Sequence, residues 1–450
     1  MTTGPSRFRV WMFRILSVAV SVAVTLALCE VALRVVFRDG GRTTLGGPGG
    51  REFEYTYSDG KSLRGPLATG AKAPGVTRLM VMGDSITWGQ GVRDWEQTYP
   101  ACLLRALNAG GPRYDMAVYA YPGKEIDNHL VTIAKSIAEV SPDIVVYQWF
   151  SNDVEISKDG RPRNRRAWRS WRLHDSLRAW SYLYFILDFS LDRALPGSER
   201  SYAQYLDQDF GPGTPGWTTF ARTFHDWAAH ATGYANRTIV MLYPVVPLTQ
   251  VVDLRHRMAA LAAGGQVLSV LPSELAHEIG DLIGSEAVSA KAGAGPGALA
   301  TTPRRAFAHG DYTASFQVRL DAAAVGPVAR VRAVANNGQT TLASLDVDAA
   351  AFPVVGAWHT VALPLAITDR VVEGVTLVVD FLGQGALSVG HIDVPVTYGI
   401  EVLDLATPLE HVNTAASLFD AHPNAATHAI MCDALAALIL SRPAGQAVRP

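Results

Sequence analysis

Short apolar runs alternate with amphipathic helical patterns between about residues 78 and 260. Each run is almost continuously apolar, which is typical of a parallel strand buried on both faces. The segments between the runs repeat apolar residues every three or four positions, which predicts helices. The predicted strands lie in RLMVMG, YDMAVYAY, DIVVYQWF and RTIVMLYPVV. This alternation predicts a doubly wound parallel sheet with helices on both sides, a three-layer α/β/α arrangement of the flavodoxin-like kind.

The pattern changes between residues 266 and 397. Helical periodicity disappears, and short runs alternate apolar and polar residues, as in DYTASFQVRL, VARVRAVA and WHTVALPL. Turn sequences such as NNG and GQG separate these runs. A period of two predicts antiparallel strands, so we expect an all-β sandwich of jelly-roll type. The α/β pattern returns with GIEVLDL and two helical segments, which makes the sandwich an insertion in the first domain.

The N-terminal segment is predicted to anchor the chain in a membrane. The uncharged stretch from Ile15 to Cys29 is short for a span, but with its apolar flanks as far as Phe37 it suffices for a tilted transmembrane helix. Arginines precede it, so the positive-inside rule places the body outside the cytoplasm. A cleaved signal peptide is the competing interpretation. The predicted divisions are 1–38 for the cytoplasmic stub and anchor, 39–75 for a linker, 76–265 and 398–450 for the two parts of the α/β domain, and 266–397 for the sandwich.

Composition narrows the classes of partner and cofactor. The 450 residues carry a formal net charge of −2, which excludes nucleic-acid binding driven by bulk electrostatics. The cysteines, Cys29, Cys102 and Cys432, have no metal-ligand spacing, and their odd number does not indicate a disulfide framework. Cys102 and Cys432 lie in apolar helical patterns, so we expect packed thiols there. We expect neither a metal nor a cofactor, because no His, Cys and Asp cluster has metal spacing.

Residues 154 to 216 form a smaller excursion from the α/β pattern. The segment RPRNRRAWRSWR at 161–172 is either a solvated basic loop or a contact with anionic lipid or an acidic polysaccharide. The apolar segment LRAWSYLYFILDFSL follows, and it is either a core helix or a helix that rests on a membrane surface. These interpretations differ in whether this part of the chain contacts lipid.

Small polar residues follow the ends of three successive predicted strands. Ser85 follows the first strand, Gly123 the second and Asn152 the third. Neighbouring strand ends converge on one crevice in a doubly wound sheet, so we expect these residues close together. Near the C-terminus, FDAHPN supplies Asp420 and His422 just before a final helix. A nucleophilic serine needs a base, a carboxylate that orients the base, and donors for the oxyanion, and this set of residues contains all of them.

With these residues in place, the chain resembles the SGNH/GDSL hydrolase family. The block GDSITWGQGVRDWEQTYP is similar to the bacterial form of the family's first motif, and four blocks occur in the family's order. The resemblance implies that Ser85 is the nucleophile and that Asp420 and His422 are the acid and the base. It also implies that the oxyanion hole is formed by Ser85, Gly123 and Asn152.

Two positions depart from the family's pattern. The third block reads Ser151-Asn152-Asp153 in place of Gly-Asn-Asp, which keeps the asparagine. Asp420 stands two residues before the histidine, whereas the family's acid usually stands three before it. The inserted sandwich lies outside the resemblance and looks like a carbohydrate-binding jelly roll.

The sequence therefore predicts a bacterial serine esterase with a single-pass membrane anchor and a catalytic domain in the periplasm or elsewhere outside the cytoplasm. The expected reaction removes short acyl groups, acetyl above all, from a glycan or polysaccharide. An O-acyltransferase uses the same triad with a sugar hydroxyl in place of water. A lipase or lysophospholipase that acts on lipid esters stays open as well, as does a glycan-binding protein without catalysis.

Overall fold

The structure, a computed structural model, describes residues 7–36, 55–111, 113–156, 172–194, 202–244, 252–417 and 420–442. It contains a parallel sheet covered by helices, an antiparallel sandwich and an apolar N-terminal helix, which confirms the predicted fold class. The helices are α1 (Arg7–Val36), α2 (Ser85–Trp88), α3 (Tyr99–Leu107), α4 (Ile126–Val140), α5 (His174–Trp180), α6 (Tyr182–Ala194), α7 (Tyr202–Asp209), α8 (Pro215–Tyr234), α9 (Val252–Gly264), α10 (Ala406–Leu409) and α11 (Ala425–Ser441). The strands are β1 (Thr77–Gly83), β2 (Tyr114–Ala120), β3 (Ile144–Trp149), β4 (Arg237–Leu242), β5 (Gln266–Val270), β6 (Asp281–Ile283), β7 (Ala287–Ala290), β8 (Gly297–Thr301), β9 (Arg305–Ala322), β10 (Pro327–Ala335), β11 (Thr340–Asp348), β12 (Trp358–Phe381), β13 (Ala386–Val396), β14 (Glu401–Asp404), β15 (Ala415–Ser417) and β16 (Asp420–Pro423).

The parallel sheet has the strand order β2-β1-β3-β4-β14. Four of its strands precede the insertion and β14 follows it, so the chain completes the sheet only after the sandwich. Val81 of β1 lies in register between Val118 of β2 and Val146 of β3. This is the doubly wound order in which the connections switch sides between β1 and β3, and ligands bind at the carboxyl ends of the strands there.

Successive residues of each parallel strand face opposite helical layers. Leu79 and Val81 of β1 pack in the layer with α3 and α11, whereas Met80 and Met82 pack with α4 and α8. All four side chains are fully buried. Burial of each side chain contributes about 2 kcal/mol to the free energy of folding. Both faces of each strand gain from apolar side chains, so the strands appear in the sequence as unbroken apolar runs.

Strands β5 to β13 form the sandwich, and the long strand β12 belongs to both of its sheets. Residues 358–367 of β12 pair with β9, and residues 376–381 pair with β10. The first sheet also contains β13, β7, β6 and β5, and the second contains β8 and β11. Along β9, buried residues such as Phe316 and Val318 alternate with less buried neighbours, as the period of two predicts.

The sandwich packs directly on helix α8. Nε2 of His225 lies 2.7 Å from the carbonyl oxygen of Ala306, and the Asp226 carboxylate accepts the backbone N–H of Ala306 at 2.9 Å. Burial lowers the pKa of His225 to about 4 and raises the pKa of Asp226 to about 6. Buried apolar residues of both domains form one cluster, so the insertion and the α/β domain share a core.

A disulfide joins Cys102 of α3 to Cys432 of α11, with the Cα atoms 5.9 Å apart. The prediction of packed thiols at these two positions is therefore wrong. The two helices lie side by side on one face of the sheet, and a separation of 330 residues along the chain hides that proximity. Cys29 is a free and exposed thiol.

Helix α1 is long and apolar enough, from Phe8 to Val36, to cross a membrane, and it is a candidate span or signal sequence. Within the predicted linker, residues 55–75 pack on the α/β domain, where the Val118 N–H donates to the Pro66 carbonyl at 2.9 Å. The earlier part of the linker and residues 161–171 of the arginine-rich segment lie outside the described residues.

Candidate active site

Strand β1 ends at Gly83, and the chain turns at once into helix α2. The Asp84 side chain caps this helix by accepting the backbone N–H of Ile86 at 2.9 Å. Ser85 is the first residue of the helix, so its backbone N–H has no acceptor within the helix. A Cβ atom at Gly83 would lie 2.0 Å from Thr87 Oγ1, so the sharp turn requires glycine. The turn places Ser85 at the carboxyl end of the central strand.

His422 and Asp420 lie on the short strand β16 and face Ser85. Nε2 of His422 is 3.0 Å from Ser85 Oγ, and Nδ1 is 2.6 Å from Asp420 Oδ1. The same Asp420 oxygen accepts the backbone N–H of His422 at 3.0 Å. Asp420 is buried, whereas the His422 ring is partly exposed. The structure thus brings the three residues into one hydrogen-bonded chain, with the acid two positions before the histidine.

Asn152 lies in a 3-10 turn directly after β3. The buried Asp153 carboxyl fixes this turn, because it accepts the Phe150 backbone N–H at 3.0 Å and the Tyr147 hydroxyl at 2.9 Å. The side-chain amide of Asn152 lies beside Asp84 and acts to lower the pKa of that carboxyl. Asn152 therefore neighbours the residue that precedes the serine.

Gly123 lies in an exposed turn shortly after β2 ends, with φ of +71°, a conformation that favours glycine. The Tyr121 N–H donates to the Gly83 carbonyl at 3.1 Å, so the chain after β2 is held against the end of β1. This contact brings Gly123 to the same sheet edge as Ser85. The hydrogen bonds described above tie Ser85, His422 and Asp420 together directly, whereas Gly123 is placed by the backbone.

Two buried carboxyl groups lie behind the nucleophile. Burial raises the pKa of Asp84 to about 6, while the Ile86 N–H and the nearby His422 oppose this rise. Burial also raises the pKa of Asp153 well above its usual range, and the charge of Asp84 raises it further. Asp153 holds the Asn152 turn through its hydrogen bonds to the Phe150 N–H and the Tyr147 hydroxyl.

Gly91 shapes the site without carrying chemistry, and the sequence analysis missed its role. Its φ is +94°, and a Cβ atom there would lie 2.7 Å from Ala416 Cβ and 3.3 Å from His422 Cβ. Both contacts are with the segment that carries the candidate base, so a side chain at this position would push His422 away from α2. In the sequence, only the second glycine in the segment TWGQGV, which directly follows the serine block, signals this contact.

Arg64 holds the loop that follows the nucleophile. Its buried guanidinium donates to the carbonyls of Trp88, Gly89 and Val92 at 3.2, 3.3 and 2.6 Å. It also lies 4.7 Å from the ring centroid of Tyr55 and 4.8 Å from that of Trp88. Burial lowers its pKa to about 10, so the side chain stays charged at pH 7. Arg64 falls in the predicted linker, where no sequence pattern pointed to it.

A cavity of about 500 Å³ opens beside the turn that carries Asn152. Apolar side chains of Val154, Ile156 and Phe210 line it together with the more polar Gln208 and Thr214. Ser85, His422 and Asp420 do not line this cavity. Among the residues that the structure describes, no group of three or more His, Cys, Asp or Glu side chains is arranged to hold a metal ion.

Comparison with known proteins gives similarities among solved structures. TesA is 17% identical over 41% of this chain and 73% of its own, with a TM-score of 0.24. A catalytic mutant of Axe2, an acetylxylan esterase from Geobacillus stearothermophilus, is 14% identical over 40% of this chain and 68% of its own, with a TM-score of 0.22. The C-terminal CBM6 of LamC, a marine laminarinase from Zobellia galactanivorans, is 15% identical over 29% of this chain and 100% of its own, with a TM-score of 0.20. No protein-family model and no curated protein matches the chain, so its chemistry must be read from the site itself.

Proposed function

We propose that this chain is a serine esterase of SGNH type that removes short acyl groups, acetyl above all, from a glycan outside the cytoplasm. The observation that carries the proposal is the hydrogen-bonded chain Ser85–His422–Asp420, with separations of 3.0 and 2.6 Å. A serine hydroxyl, an imidazole and a buried carboxylate at these distances match the roles of nucleophile, general base and orienting acid.

In the proposed mechanism, Ser85 Oγ attacks the ester carbonyl while Nε2 of His422 takes the hydroxyl proton. Asp420 holds the ring by its Nδ1–H and stabilises the imidazolium cation that forms. His422 then returns the proton to the leaving alcohol, which leaves an acyl group on Ser85. Water activated by the same imidazole attacks this acyl-enzyme and releases the acid, which regenerates the serine.

The negative charge on the carbonyl oxygen needs donors at the sheet edge. The Ser85 backbone N–H is at the start of α2, and the Asn152 side-chain amide lies on the neighbouring strand end. We assign the third donor to the backbone N–H of Gly123 in the turn after β2. Fixed donors of this kind stabilise the charge in the transition state more than in the ester ground state.

The glycan part of the proposal rests on the sandwich. Trp358, at the start of β12, keeps 41% of its surface exposed, and the Arg319 guanidinium lies 4.7 Å from its ring centroid. A Cβ atom at Gly390 would lie 3.3 Å from this ring, so the glycine allows the ring to lie close to the strand. An exposed aromatic surface with polar neighbours is the type of surface on which a sugar ring packs.

Two features support a location outside the cytoplasm. Arginines precede the apolar part of α1, which orients a membrane helix with its N-terminus inside. The Cys102–Cys432 disulfide is a bond that persists in oxidising compartments and is rare in the cytosol. Both features favour a periplasmic or extracellular catalytic domain on a membrane anchor.

The test measures acetate release and acetyl transfer on an acetylated oligosaccharide, with wild type and the Ser85→Ala variant. We expect acetate in solution from wild type and none from Ser85→Ala. Acetyl groups that move to a second sugar without acetate release would establish an O-acyltransferase instead. Absence of both products from a folded protein, on glycan and on p-nitrophenyl acetate, would refute the esterase.

The Trp358→Ala variant tests the glycan part separately. We expect it to raise KM for the acetylated polysaccharide and to leave p-nitrophenyl acetate hydrolysis unchanged, because the small ester does not need the sandwich. An unchanged KM for the polysaccharide would remove Trp358 from substrate binding.

A further inference from the structure

Helices α5 and α6 form a pair, here called the α5–α6 hairpin, that is joined to the anchor helix α1 by one carboxylate. Glu30 of α1 accepts the hydroxyl of Ser181 at 2.9 Å and the backbone N–H groups of Tyr182 and Leu183 at 3.1 and 3.0 Å. Arg34 of α1 donates to the same carboxylate at 2.7 Å. The three hydrogen bonds from Ser181, Tyr182 and Leu183 fix the first turn of α6 to one point on α1.

Arg34 adds a second connection between α1 and the hairpin. Its Nη2 donates to the Trp180 carbonyl at 2.6 Å, and its guanidinium lies 5.2 Å from the Trp180 ring centroid. Removal of α1 would leave the backbone N–H groups at the start of α6 without the Glu30 carboxylate that accepts them. The contacts therefore favour a retained anchor over a removed signal peptide.

The position of Glu30 along α1 sets the depth of the hairpin. The uncharged stretch from Ile15 to Cys29 spans roughly 22 Å at 1.5 Å per residue, which is less than the hydrocarbon core of about 30 Å. If α1 crosses the bilayer with Arg14 at the inner boundary, Glu30 therefore lies in the outer part of this core, below its outer boundary. A carboxylate at that depth is costly unless it is paired, and the start of α6 supplies its partners. The α5–α6 junction must then lie at the same depth.

The side chains of the hairpin are distributed as expected for contact with lipid. Trp180, Leu187 and Leu191 are 69%, 51% and 40% exposed, and the two leucines share one helix face. The charged Asp188 is instead 3% exposed, and it lies 3.7 Å from Arg178 within the hairpin. Large apolar side chains outside and a buried aspartate inside reverse the order expected in water. Tryptophan is also a residue that collects at membrane interfaces.

We propose that the α5–α6 hairpin lies in the outer interface of the bilayer that α1 spans, with Trp180, Leu187 and Leu191 in contact with lipid. The inference rests on the retained anchor in the proposed function and not on the esterase chemistry. The hairpin gives the protein a second membrane contact, and Glu30 couples it to the anchor. The catalytic body is thereby held at a fixed orientation to the membrane surface, instead of swinging on a linker.

The test uses the full chain in vesicles of equal parts phosphatidylcholine and phosphatidylglycerol. In a Cys29→Ser background, single cysteines replace Leu187, Leu191 or, as the matched control, Val325 of the sandwich, which is 92% exposed. Each carries an environment-sensitive fluorophore, quenched by nitroxide-labelled lipid or by aqueous iodide. We expect lipid quenching at 187 and 191 and iodide accessibility about fivefold or more below that at 325.

Equal iodide accessibility at 187, 191 and 325 in membrane-bound protein would overturn the proposal, as would a mature chain whose intact mass lacks α1. The Glu30→Leu variant keeps the anchor apolar but removes the acceptor, so iodide accessibility at 187 should rise towards that of the control. The Ser85→Ala variant should give the wild-type quenching pattern. The measurement therefore separates failure of the membrane contact from failure of the esterase.

Discussion

Replacement of Asp420 separates the charge of this residue from its hydrogen bonds. Both N–H groups of His422 that face it, Nδ1–H and the backbone N–H, converge on Oδ1 at 2.6 and 3.0 Å. An asparagine oxygen in the same place can accept both, so Asp420→Asn keeps the ring orientation and removes only the negative charge. At a charge separation of roughly 4 Å and an effective dielectric constant of about 20, the lost attraction to the imidazolium is about 4 kcal/mol. That corresponds to a fall in kcat of about a thousandfold.

Asp420→Ala removes the acceptor as well as the charge. The two N–H groups then lose a buried partner, which adds about 1–3 kcal/mol to the barrier and lowers kcat by about a further 5- to 150-fold. The assay is kcat on p-nitrophenyl acetate for both variants, with Asp433→Asn, an exposed carboxylate on α11, as the control. A kcat for Asp420→Asn within about threefold of wild type, or equal kcat values for the asparagine and alanine variants, would contradict this role of the Asp420 charge.

Two further predictions concern the site, and a third concerns two buried histidines elsewhere in the fold. Asn152→Ala should lower kcat by about a hundredfold or more without a change in Tm, because one oxyanion donor is lost, and an unchanged kcat would remove Asn152 from the mechanism. Gly91→Ala should raise the activation free energy of the reaction by more than it lowers the free energy of unfolding, since its Cβ would fall 3.3 Å from His422 Cβ. Wild-type kcat in a folded variant would show that the segment carrying His422 has room to move. Burial lowers the pKa values of His129 and His225 to about 4, from an ordinary value near 6.5, so each must take up a proton on unfolding in acid. The contribution of each neutral histidine to the free energy of unfolding is complete above pH 6.5 and falls by about 3 kcal/mol as the pH drops to 4. Denaturant titrations of His225→Gln should show a smaller loss over this range, and a loss equal to wild type would contradict the assignment.

The α/β sheet and the positions of Ser85 and Asn152 at its edge were predictable because their signals are local. Continuous apolar runs mark strands buried on both faces, and Ser85 and Asn152 each stand directly after such a run. The alternating pattern of the sandwich is equally local. The strand ends of a doubly wound sheet converge, so residues that follow three successive strands are expected to be neighbours in space.

The features that the sequence missed all depend on which elements pack together. Cys102 and Cys432 carry no sign that α3 and α11 lie side by side, and Arg64 lies in a stretch whose composition reads as a linker. The role of Gly91 exists only because β16 passes over the turn after α2. Similarly, Glu30 reads as an interruption in an apolar helix until α6 supplies its donors.

Reaction with a fluorophosphonate tests whether Ser85 is an activated nucleophile, because the reagent modifies a serine only when a neighbouring base activates it. We expect one phosphonyl group per chain, located on Ser85 by peptide mass analysis. The modification should disappear in Ser85→Ala and become at least about a thousandfold slower in His422→Ala. A folded wild-type protein that stays unmodified, or that is modified at a serine other than Ser85, would contradict the assignment of this site.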